Sequence, residues 1–173
     1  MRHLPLVVFA AFLCSCACIA TAQASPAQLC VANMQSVNAG TGPAGRDLLM
    51  KFLGKEKDKS VAQDVPIDAS TPELALQEAK KNSCDYLVTT NQTESHQENS
   101  QMPAMGTFGQ TSMPTFYVTT AYQLTKVSDG SEMASGNFKA SDRGSEQNAI
   151  GFTMHKIADK VTQAIRKAGP GAK

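Results

Sequence analysis

The sequence has 173 residues, with 16 Lys or Arg against 15 Asp or Glu, three His and no Trp. That length sets one domain plus extras. Neutrality and the lack of a basic cluster argue against nucleic acid and against an anionic membrane surface as partners.

Residues 1–22 are not part of the fold. Arg2 and His3 precede an apolar run from Leu4 to Leu13 and then a small-residue stretch, the pattern of a secretory signal peptide. The run is far shorter than the roughly 20 residues a membrane-spanning helix needs. Two processing routes are open. Ala20-Thr21-Ala22 is an A-x-A site that starts the mature chain at Gln23, with Ser25 as a second choice. Alternatively "LCSC" resembles a bacterial lipobox, with Leu13 first, Cys14 second, Ser15 third and Cys16 as the lipidated residue. Either route implies export to the periplasm, with outer-membrane association in the second. Loss of Arg2 leaves 15 basic and 15 acidic residues. Cleavage at the A-x-A site leaves Cys30 and Cys84, and an even pair in an oxidising compartment reads as a disulfide.

After a short linker (23–28), "LCVANMQSVN" leans to strand and "AGTGPAG" reads as a loop. "GRDLLMKFLGK" is a short helix: Leu48, Leu49, Phe52 and Leu53 share a face and Gly54 offers a stop. "VAQDVPI" reads as an edge strand because Pro66 cannot donate to a ladder. Either Thr71 caps the next helix with Pro72 at its first position, or Ser70 and Glu73 form a capping box; Leu74, Ala75, Glu78 and Ala79 follow at helical spacing. "CDYLVTT" is a compact central strand. Residues 91–114 are polar, with Gly, Ser, Gln and Met and no sustained period, and read as a long loop that is either disordered or functional. "TFYVTTAYQLTKV" alternates cleanly, with Phe116, Val118, Thr120, Tyr122 and Leu124 on one face. Asp129-Gly130 marks a hairpin turn into "SEMASGNFKAS". The strongest helix follows. Ser145 caps it, Ile150, Met154, Ile157, Val161 and Ile165 form its stripe, and Gly169-Pro170 ends it before a frayed tail (169–173).

The order β-α-β-α-β-β-β-α predicts an α/β (α+β) domain over 29–168. Its single mixed sheet has about five strands, with helices packed on one face. If the first and third strands are neighbours, Cys30 and Cys84 lie close enough to bond.

"NSCDYLVTTNQTE", the polar segment after it, "YQLTKVSDGSEMASGNFKAS" and the long helix together resemble a group of bacterial envelope proteins. The group comprises the curli secretion component (CsgG-like), the penicillin-binding protein activator lipoproteins (LpoB-like) and the TolB amino-terminal domain. Cys84 through Val88 and Leu124 through Ser135 carry most of the likeness, which spans roughly residues 29–168. Ser83-Cys84 stands where the group has Gly-Ala or Ala-Ala, and Thr90 where Gly is common. The resemblance implies a non-enzymatic accessory domain for envelope assembly or secretion, with an envelope protein as partner and no cofactor. Residues 91–114 lack the apolar-out alternation of a membrane hairpin, which argues against a pore.

The residue types favour binding over catalysis. Beyond the leader only His96 and His155 remain, and no G-x-S-x-G occurs. "GTGPAG" lacks the Lys-Ser/Thr of a phosphate loop and reads as a turn. His96, Met102, Met105 and Met113 share one segment, and thioethers suit Cu(I). They give a second hypothesis, a small-ligand or copper-binding periplasmic protein; exposed Met also suits an adaptable protein contact.

Overall fold

The computed structural model describes residues 26–36, 41–56, 62–69, 71–101 and 112–169. The elements are β1 (Ala27–Ala32), α1 (Thr41–Glu56), β2 (Ala62–Ile67), α2 (Pro72–Lys81), β3 (Tyr86–Gln101), β4 (Ser112–Lys126), β5 (Glu132–Asp142) and α3 (Glu146–Ala168). They build one five-stranded sheet in the order β2-β1-β3-β4-β5. β1 runs parallel to β2 and β3; β3–β4 and β4–β5 are antiparallel. Sheet class and element order are those the sequence predicts.

The helices do not all lie on one face, as the sequence reading expected. Leu29, Val31 and Val88 pack with Leu49 and Leu53 of α1 and with Met154, Ile157 and Val161 of α3. Cys30, Ala32 and Leu87 pack with Ala75 and Ala79 of α2 on the opposite face. Topology gives the reason. The crossover from β1 to β2 and the crossover from β2 back past β1 to β3 run in opposite directions, and two right-handed crossovers then put their helices on opposite faces. We call the α1/α3 side the inner face and the α2 side the outer face.

Three boundaries also differ. The first turn of α1 takes up Thr41 through Gly45, so most of the expected glycine-rich loop is helix. Pro43 fits there because the first N–H groups of a helix have no intrahelical partner. Gly54 does not stop α1, which runs on to Glu56. Most of the expected 91–114 loop is strand: β3 continues through Gln101 and β4 begins at Ser112, with Gln101 opposite Ser112. A backbone ladder against a long partner carries these polar residues into the sheet without apolar alternation. Residues 102–111 lie outside the described residues.

Local chemistry elsewhere matches the sequence. The Thr71 hydroxyl accepts from Leu74 N–H, with Pro72 at the helix start. The Ser145 hydroxyl accepts from Asn148 N–H. Gly130 takes φ 73° in the β4–β5 turn, a value that favours glycine. Leu74 is a miss, half exposed while Ala75 and Ala79 face the core.

Candidate functional site

Beyond Thr90 the β3–β4 ribbon turns polar, and a β-bulge at Thr93 sets what its residues face: Gln92 pairs with Thr120 and Glu94 with Thr119, leaving Thr93 over. The extra residue puts Gln92 and Ser95 together on the inner face and sends Glu94, His96 and Glu98 outward.

Gln92 is 1% exposed, so its amide must be paired inside the protein. Its Oε1 accepts from the Ser36 hydroxyl at 2.6 Å, and its Nε2 donates to Glu146 Oε1 at 2.9 Å. The Ser95 hydroxyl donates to the same Glu146 oxygen at 2.5 Å, and Thr41 donates to Ser36 Oγ at 2.5 Å. Glu146 opens α3, where a carboxylate suits the positive end of the helix dipole. This knot joins the starts of α1 and α3 to the bulge. Backbone bonds from Gln35 N–H to Thr90 O and from Gln92 N–H to Gln35 O complete the junction.

On the outer face α2 covers the β1–β2–β3 end only. Among the described residues nothing covers the remainder, which forms a groove of about 490 Å³. Ala121 lines its floor; Asn91, Gln123, Asn137, Ser135 and Glu132 line its sides, and Pro72 of α2 closes one end. Glu132 accepts from Gln123 Nε2 at 3.1 Å and from the Ser135 hydroxyl at 2.5 Å. The groove thus offers neutral amides and hydroxyls with one carboxylate already engaged. The rim can pair by hydrogen bonding, while the greater part of the lining is apolar. Farther along β3, His96 stacks on Tyr117 with ring centroids 5.0 Å apart, between Glu94 (3.4 Å) and Glu98 (3.6 Å).

Cys30 and Cys84 are joined by a disulfide, with Cα atoms 5.8 Å apart, in the core beneath α2. Cys16, Met102 and Met105 lie outside the described residues. Met113 pairs with Ser100 on β4, four residues along from Tyr117, the partner of His96. Strand rise makes that separation roughly 13 Å, so the backbone does not bring Met113 to His96. Among the described residues no group of three or more His, Cys, Asp or Glu could hold a metal ion. His155 is exposed on α3 and meets Phe52 edge-on at 5.2 Å. The groove residues were missed as a site. Their signal was Asn, Gln and Ser recurring on the outward half of three strands.

Among the described residues the mixed five-stranded sheet is clothed by helices on one face and half bare on the other. Among solved proteins the chain is similar to PelC of Paraburkholderia phytofirmans, a dodecamer. A point variant of PelC superposes with a TM-score of 0.57 at 12% identity, covering 80% of this chain and 90% of that one. PelC in a second crystal form gives 0.54 at 13%, covering 81% and 87%. The LpoB C-terminal domain from Salmonella enterica gives 0.43 at 11%, covering 69% and 86%. At such identities the PelC likeness defines a fold. No protein-family model matches the sequence, and no curated protein matches it.

Proposed function

We propose that this chain is an exported, non-enzymatic accessory protein of the bacterial cell envelope, and that it works by protein–protein contact through the outer face of β3, β4 and β5. The observation that carries the reading is the groove on the outer face, rimmed by neutral amides and hydroxyls, on a sheet whose inner face is packed under α1 and α3. The leader-like residues 1–22 support export. PelC, which shares this fold, is a dodecamer, and this supports a role through protein–protein contact. Cys16 would tether the protein to a membrane if lipidated; cleavage after Ala22 would release it.

The test is site-specific photo-crosslinking in the native envelope. A crosslinker at Asn91 in the groove should give a discrete adduct with an envelope protein, whereas one at exposed Lys51 on α1 should not. Equal adducts from both positions, or none from Asn91, would discard the reading. Intact mass of the recovered chain separates an acylated start at Cys16 from a free start at Gln23 or Ser25.

A further inference from the structure

The two edges of the sheet are built differently. β2 is six residues long and carries Pro66, a standard device against strand addition. β5 is 11 residues long, has no proline and carries a single lysine, Lys139. Among the described residues β5 pairs with β4 only, so its other side is an unpaired edge there.

We propose that β5 is a two-fold seam joining two copies of this chain, their β5 strands antiparallel about Gly136. The pattern along the strand is self-complementary in that register. A bulge at Met133, where Glu132 pairs with Thr125 and Ala134 with Leu124, brings Glu132 to the outer face in step with Ser135, Asn137 and Lys139. With Gly136 opposite Gly136 of the second copy, Glu132 meets Lys139 and Ser135 meets Asn137, each twice. These are a charge pair and a hydrogen-bonding pair, the units that stabilise adjacent strands. On the inner face Ala134 meets Phe138, small against large.

Gly136 suits the centre of such a seam. A Cβ there would lie 3.2 Å from the Tyr122 ring, so its inner face is already filled by Tyr122. Tyr122 in turn stacks on Phe138 at 6.0 Å. A recess of about 220 Å³ beside Phe138, walled by Lys156, Asp159 and Lys160 of α3, leaves space on that side for the approaching strand. The product is one continuous ten-stranded sheet. The inference goes beyond the envelope reading and does not depend on it, because it is tested on the purified chain alone.

The experiment is sedimentation velocity on the chain purified from the periplasm of an expression host, from micromolar to submillimolar concentration. A dimer is expected. Glu132→Lys and Lys139→Glu are exposed changes that each place like charges opposite one another twice, and each should weaken the dimer by about tenfold or more. An equimolar mixture of the two variants should restore it. In the mixed dimer the two reversed positions face each other with opposite charges, and the unaltered Lys139 of one chain faces the unaltered Glu132 of the other. Mixed Ser135→Cys and Asn137→Cys chains should also cross-link faster than either alone, which reads the register without reversing a charge. A chain monomeric throughout, single reversals without effect, a mixture as weak as its components, or cysteine variants that cross-link equally well alone would each overturn the proposal. A monomer that captures an added extended peptide on β5 would reassign the edge to a different protein.

Discussion

The parallel and antiparallel halves of this sheet solve different problems. Around β1, β2 and the start of β3 both faces are covered, by α1 and α3 on one side and α2 on the other. β1 from Leu29 and the start of β3 are buried without alternation: Leu29 through Ala32 and Tyr86 through Val88 are all core. From Asn91 to Ser95, and along β4 and β5, helices pack on the inner face only, and among the described residues no helix covers the other. A parallel pair connected by helices is covered on both sides as a matter of connectivity; an antiparallel ribbon can leave one face to water. The lesson is that the half freed from packing is where recognition can be placed, and that it leans on the other half for stability.

The largest test of that dependence is Met154→Ala. Met154 is fully buried on the sheet-facing side of α3, the helix that lies over β4 and β5. Its truncation should cost about 2–5 kcal/mol in urea unfolding. If the antiparallel half borrows its stability, hydrogen exchange in β4 and β5 should accelerate together with that in β1. Next comes removal of the disulfide in the Cys30→Ala, Cys84→Ala double variant. The bond closes a sequence separation of 54, so its loss should cost about 2–4 kcal/mol and should be felt first in the parallel half. At the junction, Glu146→Ala leaves the buried Gln92 amide and the Ser95 hydroxyl without this acceptor. It should cost about 1–3 kcal/mol and raise exchange at Gln92 and Ser95 more than at Val31.

The smallest expected effect is in acid, and it belongs to the antiparallel half. Hydrogen bonds from the Ser131 hydroxyl and then its N–H hold the Asp129 carboxyl below its usual range. The N–H groups of Ser145 and Gly144, then Asn148, do the same for Asp142. Both groups favour the folded state when ionised. Their contribution is therefore present above the ordinary carboxylate range and is lost as pH falls through the depressed values. Asp129→Asn with Asp142→Asn should flatten the acid limb of a stability–pH curve and leave its shape above pH about 6 unchanged.

Much of the fold was legible because its signals were local. The stripe from Ile150 to Ile165 fixed α3, Thr71-Pro72 fixed the start of α2, and Asp129-Gly130 fixed the turn. What stayed hidden depended on distant partners. Residues 91–101 have no strand signature of their own and are strand because β4 lies beside them. Thr41 through Gly45 carry two glycines and a proline, yet their place in the first turn of α1 is set by contact with Met34, whose carbonyl oxygen would lie 2.7 Å from a Cβ on Gly42. The outer face of α2 was a matter of crossover direction, which no single segment encodes. The groove was the hardest to read, since Asn91, Gln123 and Asn137 are 14 or more residues apart and look like ordinary solvated positions until the register aligns them.

The bulge at Thr93 gives the ribbon one residue of slack. Deleting Thr93 would turn a two-against-one step into regular pairing while Glu94, His96 and Glu98 kept their side of the sheet and Ser95 kept its side facing Glu146. An insertion or deletion of one residue normally exchanges the two faces of every strand position beyond it. Here a single-codon deletion at this point would leave the faces in phase, so the long β3–β4 ribbon can change length by one residue without scrambling the surface it displays.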